Sequence, residues 1–198
     1  MKIKLITTTL YILFSNLAFA GGNIDLLEPE IAIAENLEQA ISENYFYTGL
    51  AYSYMKMNDD TLNTDITGNA ISILAGYKFY RYLSLEGRYS TTLGDVNVDN
   101  IDKDWDITNL ALYLKPQYSL NELTLYGLLG YGHTTLDNGT KHSENAFQWG
   151  LGANFSATED IEVFIDYTRL YDDNGFDSLS TDNDTCFDSV NVGISYNF

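Results

Sequence analysis

With only two histidines and one cysteine in 198 residues, acid–base, metal or thiol chemistry has few places to start. His142-Ser143-Glu144 contains the residue types of a nucleophilic hydrolase. Neighbours on a strand point to opposite faces, however, so this run does not itself make a triad, and His133 stands apart from it. Asp102-Lys103-Asp104-Trp105-Asp106 spaces Asp102, Asp104 and Asp106 at alternate positions, as a hard-cation loop would. It lacks the Gly and the distal Glu of an EF-hand, and it reads either as a weak divalent-cation candidate or as a solvated acidic face. Glu162 and Asp166 could share a proton-transfer role, but no substrate pocket is implied around them. No Gly-rich phosphate loop, zinc spacing or paired thiol occurs. Cys186 is a lone thiol with no intramolecular disulfide partner. These residues imply neither an enzyme nor a cofactor.

The charge balance narrows the partners. Lys+Arg number 10 against 28 Asp+Glu, a formal net charge of −18, and nucleic acid is excluded because a polyanion is bound by cations that release its counterions. Lys2 and Lys4 precede a mostly apolar run that ends at Ala18-Phe19-Ala20, with small residues at the two positions a signal peptidase reads. Residues 1–20 are therefore expected to be a secretory signal peptide cleaved after Ala20. Thr7, Thr8, Thr9, Ser15 and Asn16 interrupt the run, which falls short of the ~20 apolar residues of a membrane anchor. No later stretch is apolar enough for a helical span, so the exported chain is either soluble or a closed barrel. In residues 21–44, Ile31, Ala34, Leu37, Ala40 and Ile41 are interspersed with Glu30, Glu35, Glu38 and Glu43. That segment reads as a short periplasmic amphipathic helix or as a loosely ordered acidic leader.

From Tyr45 onward the positioning elements are strands. Tyr 16, Phe 10, Gly 15 and only 2 Pro are a strand-rich composition, and eight runs alternate with period two. Phe46, Thr48, Leu50, Tyr52 and Tyr54 oppose Tyr47, Gly49, Ala51 and Ser53; in the last run Val190, Val192, Ile194, Tyr196 and Phe198 oppose Asn191, Gly193, Ser195 and Asn197. Charges keep to one parity: Lys78, Glu86, Arg88, Lys115, Glu162 and Asp166 all fall on the small, polar face. Three cations and three anions balance there, as expected of a narrow barrel filled by its own side chains, and the set reads as a structural network rather than a catalytic one.

The connections obey a rule that a soluble sandwich would not need. Links near residues 57–69, 92–106, 135–145 and 171–188 are long, while those around Arg81, Asn121 and Glu159 are tight. Long loops at one rim, tight turns at the other and strands of ~10 residues are the pattern of an outer-membrane barrel. Tyr45, Phe46, Phe79, Tyr82, Tyr118, Phe155, Tyr196 and Phe198 fall near the tight-turn rim, and Tyr54, Tyr89, Tyr131, Phe147, Tyr167 and Tyr171 near the other, as two aromatic girdles would. The final strand, from Asn191 through Gly193 and Tyr196 to Phe198, with Gly76-Tyr77-Lys78-Phe79 and Trp149-Gly150-Leu151-Gly152 as hairpin-like segments, resembles the small eight-stranded outer-membrane β-barrel family that includes OmpA-type and OmpX-type barrels and many "porin family" proteins. The likeness covers residues 45–198.

The resemblance implies an all-β, eight-stranded, antiparallel up-and-down transmembrane barrel in the outer membrane of a Gram-negative bacterium. It implies that Asn191, Gly193, Tyr196 and Phe198 form the signal read by the barrel assembly machinery. Lipid and lipopolysaccharide would surround a monomer. Sixteen of the 28 acidic residues lie in the four long links, beside only Lys103 and Lys141, so the outer rim is expected to be strongly negative and open to divalent cations. Two functions remain: a structural or surface-interaction protein that presents acidic loops, or a narrow cation-preferring channel whose inward glycines leave a water path.

Overall fold

The computed structural model describes residues 44–59, 64–174, 176 and 184–198. The expected signal peptide with Ala18 and Ala20, residues 21–43 of the expected N-terminal segment, and Asp60, Asp177 and Asp182 lie outside them.

Alternation gives two-faced strands, and here they pair in sequence until the last closes on the first as a ring. Eight long strands form it: β1 (Tyr45–Asp59), β2 (Thr64–Tyr80), β3 (Leu83–Thr92), β6 (Asp106–Leu120), β7 (Leu123–Asp137), β8 (Lys141–Ser156), β9 (Ile161–Asn174) and β10 (Asp184–Asn197). Each pairs antiparallel with its chain neighbours, and β1 closes on β10 with Leu50 opposite Ile194 on one side and Ile73 of β2 on the other. Closure leaves no unpaired edge in the ring.

Two short strands, β4 (Val96–Val98) and β5 (Ile101–Lys103), make a hairpin inside the link from β3 to β6. Its two-residue turn has Asp99 and Asn100 both at positive φ, at 50° and 66°, the type I′ geometry that matches strand twist and that Asp and Asn tolerate. Asp65 and Asp99 clamp the hairpin to β2. The Asp65 N–H donates to Asp99 Oδ1 at 3.0 Å and the Asp99 N–H donates to the Asp65 carbonyl at 3.1 Å.

Seven of the eight strands run to 14–17 residues, beyond the ~10 expected, while β3 has 10, and much of each long link is strand. The link at 135–145 is a tight turn at residues 138–140, where Gly139 has φ 97° and Asp137 pairs with Lys141. The polar alternation that suggested loops there continues the ladder past the apolar belt.

The outer surface is apolar. Leu50, Ile73, Leu112, Leu129, Leu151, Ile165 and Ile194 are among its large exposed side chains, a continuous band that water would not tolerate around a soluble protein. Tyr82 and Tyr118 stack at 6.2 Å at the tight-turn rim, and Tyr131 meets Phe147 edge-on at 5.7 Å at the other. Tyr45 and Tyr171 do not join these girdles. Tyr45 packs inward against Tyr47. Tyr171 is buried because β9 bulges: Asp188 faces Arg169 while Phe187 faces Tyr171, so Leu170 and Tyr171 both point inside.

The interior has three levels. Beyond the outer girdle, Met55, Met57, Ile66, Ile107, Leu136, Leu170, Tyr171, Phe176 and Phe187 fill the ring as an apolar core. A polar, charged layer lies at mid-height, and a polar vestibule opens at the tight-turn end. Among the described residues no helix is long and apolar enough to cross a membrane.

Candidate functional site

The mid-height layer is where the inward charges meet. Arg88 on β3 and Asp166 on β9 stand four strands apart in the eight-strand ring, on opposite walls. The Arg88 guanidinium spans the lumen and donates from both terminal nitrogens to Asp166, Nη1 to Oδ1 at 3.1 Å and Nη2 to Oδ2 at 2.8 Å, a bidentate fork that suits the planar group. Its Nε donates to Glu86 Oε1 at 2.5 Å. Glu86, wholly buried, also accepts from Lys115 Nζ at 2.8 Å and from the Tyr47 hydroxyl at 2.7 Å. Asp166 in turn accepts from the Tyr126 hydroxyl at 2.8 Å and from Asn191 Nδ2 at 2.6 Å. Two anions and two cations therefore neutralise one another where neither could lie alone.

Lys78 and Glu162 are not brought into this lattice. Both are inward, but they line the vestibule at the tight-turn end. Lys78 Nζ donates to the Tyr45 hydroxyl at 3.4 Å and lies 4.9 Å from that ring's centre, while Glu162 accepts from Asn154 Nδ2 at 2.7 Å. The residues of the expected assembly signal divide between faces. Asn191 belongs to the charge lattice, Gly193 lies inside against the Phe164 ring, and Tyr196 and Phe198 are exposed with their rings 5.0 Å apart.

Sequence reading missed the phenols and amides of this layer. Tyr47, Tyr113 and Tyr126 share the parity of the charges, but their bulk fits only because each faces a glycine: Tyr47 opposite Gly76, Tyr113 opposite Gly130, Tyr126 opposite Gly152. A Cβ at Gly76 would lie 2.2 Å from Tyr47 Cζ, and one at Gly152 would lie 2.5 Å from Tyr126 Cζ. Gly76, Gly130 and Gly152 are thus sockets for tyrosine rings, and the space these three were expected to leave for water is occupied. One register step along, Gln148 accepts from the Tyr113 hydroxyl and donates to Asn109 Oδ1 at 2.8 Å, which also accepts from Thr134 at 2.9 Å. A tyrosine of inward parity level with a glycine on the next strand is the signal that would have found them.

Elsewhere the candidates stay apart. Among the described residues no three His, Cys, Asp or Glu are grouped to hold a metal ion. Asp102, Asp104 and Asp106 do not converge: Asp102 accepts from Asn97 on the β4–β5 hairpin at 3.0 Å, whereas Asp106 opens β6 opposite Asp137. His133 is exposed and bonded to Asn145 Oδ1 at 3.1 Å, and His142, Ser143 and Glu144 follow one another along β8. Cys186 donates to Asp172 Oδ1 at 3.4 Å on the outer rim. Beside it Arg169 bonds Asp188 at 2.9 Å, and that bond holds its guanidinium proton even more firmly than usual.

The model of the outer membrane protein beta-barrel domain matches residues 31–198. The chain belongs to this outer-membrane β-barrel family. It is accordingly a protein of the Gram-negative outer membrane, with its apolar belt in lipid. No curated protein is similar enough in sequence to count as a relative. Solved structures are similar in fold: Ail, the attachment invasion locus protein of Yersinia pestis, in complex with the heparin analogue sucrose octasulfate, at 19% identity, covering 79% of this chain and 99% of that one with a TM-score of 0.55. Neisserial surface protein A matches at 13% identity, 77% and 97% coverage and a TM-score of 0.58. The outer membrane protein AlkL matches at 11%, 89% and 97%, with a TM-score of 0.54.

Proposed function

We propose that this barrel is a non-enzymatic structural and surface-interaction protein that presents an acidic rim to the outside and does not conduct solutes. The observation that carries the reading is the filled lumen. The Arg88–Asp166 fork crosses it at mid-height, and the apolar core around Met55, Phe176 and Phe187 fills it above. A hydrated ion would have to displace both layers, breaking charge-assisted bonds below and wetting an apolar core above. The rim, with Asp65, Asp95, Asp99, Asp102, Asp104, Asp137, Asp172 and Asp173, favours cationic partners and divalent ions. A polyanion of the kind bound to Ail would be repelled. Planar-bilayer recording of the refolded protein tests the reading. No channel events are expected, and reproducible cation-selective steps would replace it with the narrow channel that an acidic rim also suits.

A further inference from the structure

The sequence contains one tripeptide twice, Asp137-Asn138-Gly139 and Asp173-Asn174-Gly175, and these carry its two Asn-Gly bonds. Such a bond is chemically labile, because glycine has no side chain to shield its backbone nitrogen from the asparagine amide that precedes it. By local sequence the two are alike. The fold separates them. Asn174 closes β9 (Ile161–Asn174) and lies opposite Asp184 of β10, so its backbone is held extended in a ladder. Phe176, two residues on, is buried in the outer apolar core. Asn138 belongs to no strand and begins the three-residue turn between β7 and β8, whose last paired residues are Asp137 and Lys141.

Within that turn the groups that would react are polarised by two hydrogen bonds. The Thr140 N–H donates to Asn138 Oδ1 at 3.1 Å, and the Gly139 N–H donates to Asp137 Oδ1 at 3.1 Å. The first bond draws electrons from the side-chain carbonyl and faces the oxygen on which negative charge develops under attack. The second raises the electron density of the glycine nitrogen and, lying in the peptide plane, leaves the face of that nitrogen open. Nothing crowds it: a Cβ added to Gly139 would meet no atom within 4 Å.

We infer that Asn138 is a site of spontaneous deamidation, and that the fold directs the reaction to it rather than to Asn174. The Gly139 nitrogen attacks Asn138 Cγ, its proton leaves to solvent, and the bond from Cγ to Nδ2 breaks to release ammonia. The cyclic imide that remains takes up one water. Opening at the side-chain carbonyl gives aspartate at this position; opening at the backbone carbonyl gives isoaspartate, which carries the chain through its side chain. Either product adds a carboxylate beside Asp137, which already stands opposite Asp106. Isoaspartate also lengthens the backbone of a turn whose two ends are paired.

The test incubates the mature protein, refolded in lipid nanodiscs, in mildly alkaline buffer beside a sample unfolded in urea. Mass spectrometry of digests follows both tripeptides, and isoaspartyl methyltransferase counts the isoaspartate formed. In the folded barrel the peptide carrying Asn138 should convert at least several-fold faster than the one carrying Asn174, while in urea the two should convert at similar rates. Asn138→Gln, which would have to close a larger ring, should remove most of the methyl-accepting signal of the folded protein and keep its heat-modifiable gel mobility. Should that variant fail to fold, the two wild-type peptides decide alone. Equal or faster conversion at Asn174 in the folded barrel, an Asn138 peptide still intact when the unfolded chain has converted, or an undiminished signal from folded Asn138→Gln would each overturn the inference.

Discussion

Arg88 is the residue on which the mid-barrel layer depends. Its guanidinium serves Glu86 and Asp166 at once, so Arg88→Ala leaves Asp166 with neutral hydrogen-bond donors alone and Glu86 with Lys115 as its remaining cation. Removing one partner of a buried pair costs about 3–5 kcal/mol, and that loss is expected in urea unfolding from lipid vesicles, read by tryptophan fluorescence. Arg88→Met with Asp166→Leu should cost clearly less than the two single changes added together, since the second change removes the stranded charge. Strict additivity would show that the two groups do not interact. On the rim, Cys186 behaves in the opposite way to a reactive thiol: burial, and then its hydrogen bond to the Asp172 carboxylate, push its pKa up. A raised pKa leaves less thiolate at any given pH, so alkylation by iodoacetamide near pH 8 should be slower than for a free thiol and should climb as pH rises further. Asp172→Asn should speed it at fixed pH; an unchanged rate would show that the carboxylate has no hold on the thiol.

The elements are built by alternation, and their exceptions are informative. In β9 a single bulge sends Leu170 and Tyr171 to the same side and delivers a second large side chain to the outer apolar core. In β10 and the residue after it the two faces have different employments, Asn191 and Gly193 serving the interior while Tyr196 and Phe198 meet the lipid boundary. The Phe198 N–H donates to the Phe46 carbonyl at 2.8 Å, so the last residue is tied to β1, whose Phe46 is exposed beside it. Phe198→Asp places a charge on that lipid-facing corner. Folded protein in the outer membrane should drop several-fold, with Phe198→Tyr restoring it, as quantified by the heat-modifiable band in membrane fractions. Wild-type levels for Phe198→Asp would mean that the terminal residue merely frays.

At the scale of the whole molecule, the barrel is two media joined end to end. Its lower part is apolar outside, as lipid requires, and holds its charges inside, beside two small apolar clusters around Leu74 and Leu128. Its upper part, beyond the outer girdle, is polar outside and apolar inside, like a soluble sheet closed on a core. The upper part should therefore depend on packing rather than on lipid. Phe187→Ala opens a cavity among Met55, Met57 and Phe176, for a cost of about 3–5 kcal/mol. Protease added to intact cells should then cut the outer rim while the membrane-embedded part still migrates as a folded barrel in unheated gels. Loss of that mobility as well would show that the two parts unfold as one.

Fold class was legible because period-two alternation is a local property: Leu110, Leu112 and Leu114 against Asn109, Ala111, Tyr113 and Lys115 specify a strand with two faces whatever its neighbours do. A link was harder to read, because at residues 135–145 polar residues continue a ladder outside the membrane and look the same as a loop. Parity also placed Glu86, Arg88 and Asp166 on a common face. Which of the six inward charges meet depended on something no single strand carries, the closure of the ring, which sets β3 against β9 and leaves Lys78 and Glu162 at the mouth. The same holds for the glycines. Gly76 and Gly152 read as space in the sequence and become sockets only when register brings Tyr47 and Tyr126 opposite them. Alternation along one strand thus determined which face a residue occupies, except where the β9 bulge turned Tyr171 inward, while register and closure, which are relations between strands far apart in the chain, decided whom it touches.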